Sequence, residues 1–216
     1  MTEKKKMMPM RGLFLRPMRY NCFWLLAFFL LPHWLFAQET HDLMHTIAMK
    51  RAVGPIKIDG ILNETAWTNQ NGMGQFHQQF PYDTSLAKMQ TRVKVAFDEN
   101  FFYVGAVCQQ PKKYVVQSLR RDYPNGTSDI FFMSIDPFGD KLNGFYFAVN
   151  PYGAQKEGLI FNGDELSVDW DNKWYCATQQ SDSAYTVEIA IPFKTLRYKA
   201  GQIFWNVNFA RNNLLL

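Results

Sequence analysis

The chain has little of what cross-linking and catalysis usually require. Three cysteines in 216 residues are too few for a disulfide scaffold. With four histidines, no Gly-x-Ser-x-Gly elbow, no glycine-rich phosphate loop and no EF-hand spacing, the common nucleophile, nucleotide and calcium motifs are excluded. Long amphipathic helical periodicity is missing, as are fixed-period repeats, linkers and low-complexity tracts. An excess of one charge is missing too. The formal net charge is +4, but six of the 23 basic residues lie in residues 1–37 against Glu3 alone, which leaves 17 basic and 18 acidic residues elsewhere. A body so close to neutral carries no electrostatic footprint for phosphates, so nucleic acid is excluded as the principal partner. What is present is a content of 47% hydrophobic and 16% aromatic residues, which excludes a disordered chain and suits one domain or a small pair.

Residues 1–37 read as an address. Lys4, Lys5, Lys6, Arg11, Arg16 and Arg19 precede an apolar run from Cys22 to Phe36 that Pro32 and His33 interrupt. A charged segment followed by a run shorter than the ~20 residues of a transmembrane helix predicts a secretory signal peptide cut after Ala37. An uncleaved N-terminal anchor is the alternative. Cys22 opens the apolar run rather than following it, which argues against a lipoprotein. The expected destination is the periplasm, the outer membrane or the extracellular medium. Residues 38–53 then form a leader segment, and 54–216 the folded module. In an oxidising compartment Cys108 and Cys176 could pair, or serve as two small buried apolar side chains.

From Lys50 onward the hydrophobic period is two. In Gln90 to Phe97, Val93, Val95 and Phe97 share one face, while Arg92, Lys94 and Ala96 take the other, as in a half-buried strand. Asp98-Glu99-Asn100 turns the chain into a second strand, Phe101 to Cys108. Further strands are predicted over 76–80, 114–119, 129–136, 143–150, 154–161, 174–180, 184–191 and 203–210, separated by turn-rich stretches such as Asp136-Pro137-Phe138-Gly139-Asp140 and Asn150-Pro151-Tyr152-Gly153. Short helical turns are expected at Asn63–Trp67 and Ile191–Leu196. Nine or ten strands without a long helix predict an all-β fold, an antiparallel β-sandwich of jelly-roll type, with a closed barrel as the alternative.

Candidate chemistry is sparse. His41 and His45 have an i, i+4 spacing without a Glu-x-x-His pattern, so a solvated leader accounts for them. Carboxylates are plentiful, and any two facing across a cleft could hydrolyse a glycoside. Most, however, sit at turns where Asp bonds its own backbone. Asp98, Asp129 and Asp136 are weak candidates for a structural calcium ion, which takes oxygen ligands in flexible geometry. Aromatics are the most suggestive residues, because an exposed ring offers a flat platform to the C–H face of a sugar. Trp67 and Trp205 lie in apolar patterns and are expected in the core. Trp170, Trp174 and Tyr123 lie beside turns. With Asn172 and Asp171 as hydrogen-bonding edges, these three rings form the predicted saccharide site, and no catalytic residue is assigned.

Pro55-Ile56-Lys57-Ile58-Asp59-Gly60-Ile61-Leu62-Asn63-Glu64-Thr65-Ala66-Trp67 resembles the opening of the family 9 carbohydrate-binding modules. The resemblance continues in order through Val93–Val104, Asp129–Asp136, Phe147–Gly153, Tyr185–Phe193 and Trp205–Arg211. It implies a β-sandwich that binds saccharide, sometimes with structural calcium, and is carried by larger exported proteins, some with a C-terminal outer-membrane-type β-barrel. In sugar-binding members two tryptophans sandwich a terminal sugar, one just before the strand matching Asp129–Asp136. This chain has Tyr123-Pro124-Asn125-Gly126-Thr127-Ser128 there, and it ends before the second. Charged sugar-contacting positions fall near Phe132 and Ala148. The end at Asn212-Asn213-Leu214-Leu215-Leu216 leads to the expectation of a C-terminally truncated module with an open edge. The expected function is therefore non-catalytic binding of a poly- or oligosaccharide, serving carbohydrate catabolism within a larger protein. A structural or interaction domain attached to a missing barrel and a glycoside hydrolase are the alternatives.

Overall fold

A computed structural model describes residues 46–215 apart from Thr84 and Lys112. The signal segment, its cut after Ala37, and His41 and His45 lie outside the described residues. The elements in chain order are β1 (Lys50–Arg51), α1 (Thr65–Thr68), β2 (Thr91–Phe97), β3 (Phe101–Gln109), β4 (Ile130–Asp136), β5 (Gly144–Val149), β6 (Gln155–Phe161), β7 (Glu165–Ser167), β8 (Tyr175–Gln180), β9 (Ala184–Pro192), a 3₁₀ turn (Phe193–Thr195) and β10 (Asn206–Asn212). They form two five-stranded sheets, β1-β2-β3-β9-β8 and β10-β4-β5-β6-β7. Every pairing is antiparallel except β1 with β2. This is the predicted sandwich.

The alternation read in the sequence decides which side chains meet between the sheets. Phe131, Met133 and Ile135 of β4 and Phe145, Phe147 and Val149 of β5 face Val104, Ala106, Tyr185, Val187, Ile189 and Ile191 of the other sheet, all buried. Cys108 is in this core. Cys108 and Cys176 are free thiols. They sit on β3 and β8 with β9 between them, a separation of two strand spacings, about 10 Å, and beyond the ~7 Å that a disulfide spans. Burial pushes both thiols up to about 11.

The other face of β3 is covered as well. Trp67, fully buried, packs with Ala96, Tyr103 and Ala190, and Ile56, Ile58 and Leu62 lie against them. The segment 56–67 is pinned by one buried carboxylate: Glu188 of β9 accepts from Trp67 Nε1 at 2.8 Å, Asp59 N at 3.0 Å and Gly60 N at 2.8 Å. Gly60 has φ +84, and a Cβ there would lie 2.7 Å from the Thr178 carbonyl carbon, so only glycine fits this crossing.

Two strand expectations are corrected, and one short strand was not foreseen. Residues 76–80 and 114–119 hold only isolated bridges, His77 to Leu86 and Val116 to Ser128, because the flanking loops leave one pairing in place before turning away. The three-residue β7 carries too short a pattern to be read from periodicity. Strand β10, expected over 203–210, is the edge strand beside β4.

Candidate functional site

Strand β7 ends on the edge of one sheet and β8 begins on the edge of the other, so the connection 168–174 must cross the open side of the sandwich. A segment laid over that opening buries its apolar side chains to exclude water from the core. Trp170 lies 5.2 Å from the Phe145 ring and 6.0 Å from Phe147, and Trp174 lies 5.3 Å from Phe147 in an edge-to-face arrangement. Trp174 is 3% exposed. It is a core residue, which corrects its expected role as an exposed platform. Trp170 is half-buried.

Tyr123 is corrected in the same way. It too is 3% exposed. The nearly buried Lys156 ammonium donates to its carbonyl oxygen at 3.0 Å and to Asn125 Oδ1 at 2.7 Å, and sits 5.9 Å from its ring centroid. Burial raises the Tyr123 hydroxyl well above its ordinary value and lowers that of Lys156. The place where the resemblance puts one clamp ring is thus filled by a tyrosine fastened to a lysine. Phe132 pairs with Tyr146 at 5.6 Å on the outer face of β4 and β5.

The polar members of the predicted site do meet, around a residue that was not predicted. Arg121 Nη2 donates to Glu157 Oε1, to Asp171 Oδ1 at 3.0 Å and to the Asn172 carbonyl at 2.8 Å, while Nη1 donates to Gln155 Oε1 at 3.1 Å. Asn172 Oδ1 accepts from Lys173 N at 2.8 Å. Two carboxylates on one guanidinium form a charge-assisted clamp that fixes the 168–174 crossing to β6. Glu157 is 1% exposed, and its Oε2 and the Trp174 Nε1 are both buried without partners. Beside this group lies a cleft of about 420 Å³ lined by Ile58, Gly153, Gln155, Trp174, Tyr175 and Cys176.

Tyr175 is the exposed ring of this region, 41% accessible, with Lys173 Nζ 5.4 Å from its centroid. Period two supplies the missed signal: when Trp174 turns inward at the start of β8, its neighbour turns out. Arg121 had no such signal, since its partners lie 34 to 51 residues away.

The fold does not bring the calcium candidates together. Asp98 accepts from Asn100 N, Phe101 N and Tyr103 Oη. Asp129 accepts from Gln110 Nε2, Val115 N and Leu214 N. Asp136 accepts from Phe138 N, Gly139 N, Lys141 N and Asn206 Nδ2. Their oxygens are engaged by N–H and O–H donors, and Asp129 and Asp136 flank opposite ends of β4. Among the described residues no three His, Cys, Asp or Glu side chains gather as metal ligands do.

The sequence profile of the family described as carbohydrate family 9 binding domain-like matches residues 58–213. The chain belongs to this family. The match runs from the segment pinned by Glu188 to the end of β10, so it takes in both sheets apart from β1. Among solved structures, a proposed carbohydrate-binding protein from Bacteroides uniformis is similar at 11% identity and a TM-score of 0.57, over 79% of this chain and 84% of that one. This likeness shows a shared fold. A family 9 carbohydrate-binding module from Caldicellulosiruptor kristjanssonii also aligns, at 16% identity and a TM-score of 0.49, over 76% of each chain in its cellotriose complex. Its glucose complex aligns over 76% of this chain and 78% of that one, with the same identity and score. No curated protein sequence matches the chain.

Proposed function

We propose that the module binds a saccharide without transforming it, in the cleft beside Tyr175. Membership of the family over residues 58–213 carries the reading. The geometry supports the place: a half-exposed ring on a rigid strand, with the Gln155 amide beside it and the Asp171 and Asn172 edges held by Arg121, offers an apolar face and polar rim to one sugar unit. Residues 1–37 support a role outside the cytoplasm, in service of carbohydrate uptake or breakdown by a larger protein. Titration of the purified protein with uncharged oligosaccharides, followed by tryptophan fluorescence and calorimetry, tests it. Tyr175→Ala should weaken binding at least tenfold with an unchanged melting temperature. Unchanged affinity would remove the saccharide from this cleft.

One observation favours a second reading. The rings best placed by sequence to stack on sugar, Trp174 and Tyr123, are both buried, as in a domain whose loops serve protein contacts. On that reading the module is an interaction domain next to an outer-membrane-type barrel, and no sugar in the titration would bind.

A further inference from the structure

A second cleft lies elsewhere, on the outer face of the sheet β10-β4-β5-β6-β7. It encloses about 350 Å³ at the end of β4 remote from the loop containing Tyr123, and Ser134, Asp136, Asn143, Asn206 and Asn208 line it. Its polar groups differ in kind from those around Arg121, which bond chiefly to one another. Asn206 Nδ2 donates to Asp136 Oδ2 at 2.9 Å, and Asn143 Nδ2 donates to Asp140 Oδ2 at 2.9 Å. A carboxylate can only accept, so each amide is locked with its nitrogen on the carboxylate and its Oδ1 left to accept from a ligand. The carboxylates are themselves held. Asp136 takes three backbone N–H groups of the β4–β5 turn, and Asp140 takes those of Leu142 and Asn143.

Two residues along the strands from Asn206 and Asp136, Asn208 and Ser134 stand opposite each other in the β10–β4 register, on the face away from the core. Among the described residues neither side chain has a hydrogen-bond partner. The cleft therefore presents preorganised acceptors together with an amide and a hydroxyl that can donate or accept, all borne on strands or on a turn fixed by a carboxylate. A ligand must bring hydroxyl donors. Asp136 and Asp140 oppose an anion, and the exposed Lys141 at the rim opposes a cation. Leu142 and Ile160 add apolar contact for C–H groups.

We propose that this cleft is a second saccharide site, selective for uncharged, polyhydroxylated rings and separate from the cleft beside Tyr175. Its ligand class is that of the proposed function, but its place rests on the locked amides alone. Calorimetry of the purified protein with uncharged oligosaccharides such as cellotriose and maltotriose tests it, using Asn208→Ala and Asn206→Leu beside Tyr175→Ala. All three positions are exposed, and unchanged near-ultraviolet circular dichroism checks the fold. The wild type should bind two equivalents, and either asparagine variant should lose one, with at least a tenfold weaker affinity there. Glucuronate-containing oligomers should bind this site at least tenfold more weakly than neutral ones. If the asparagine variants leave stoichiometry and affinity unchanged while Tyr175→Ala weakens binding, the second site is refuted and the first stands. If the asparagine variants abolish binding and Tyr175→Ala does not, the reading of the first cleft falls and this one stands. A wild type that binds one equivalent, abolished by Tyr175→Ala, also refutes the proposal.

Discussion

Glu188 shows how much one side chain can hold. It is fully buried and takes three N–H donors from a segment more than 120 residues away in sequence. Burial raises its carboxyl above the ordinary value of 4.5, outweighing the bonds from Trp67, Asp59 and Gly60 that lower it. The folded state therefore binds its proton more tightly than the unfolded chain does. Its contribution to stability is full below the unfolded value and declines as pH rises from 4.5 through the higher folded value. Glu188→Gln should remove that decline. It should also cost about 1–3 kcal/mol at neutral pH, because the amide nitrogen must face an N–H donor and leaves it unpaired. Melting temperature against pH for the two proteins checks both parts. In the sequence Glu188 was only one of many carboxylates, since nothing local marks a residue whose partners arrive from the far end of the chain.

The elements were read best where each made its own pattern. The hairpin expected over 90–97 and 101–108 is β2 and β3, at Thr91–Phe97 and Phe101–Gln109, because strict alternation and an Asp-led turn leave no other register. The connection 168–174 was read less well, since a crossing loop has no period and its burial depends on what lies beneath it. This difference makes Trp174 and Tyr175 a sharp pair. Trp174→Ala should destabilise the fold by about 3–5 kcal/mol through the cavity left beside Phe147. Tyr175→Ala should stay within about 0.5 kcal/mol, as surface substitutions do. Urea unfolding of the two variants separates them, and equal losses would mean that the ring of Tyr175 supports the fold instead of standing free.

For the whole molecule, the Arg121 clamp ties the crossing between the sheets to β6. Glu157 is 1% exposed, so Arg121→Met leaves a buried charge uncompensated. The Arg121 side chain is 36% exposed, so the loss should be about 3 kcal/mol, at the lower end for broken buried pairs. Adding Glu157→Leu should recover at least half of it, because an apolar pair of similar size has no charge to desolvate. Chemical denaturation of the single and double variants measures the recovery. The sequence by itself determined the all-β class, the β2–β3 hairpin, the shared inner face of Val93 and Val95, and the place of Trp67, because period-two alternation and turn chemistry act over a few residues. Only the tertiary structure decided that Trp174 and Tyr123 are buried, that Arg121 gathers Asp171 and Asn172, and that Asp136 and Asp140 orient two amides in a cleft. Which side of a loop faces water, and which polar groups remain free to bind, depends on surfaces brought together from distant parts of the chain.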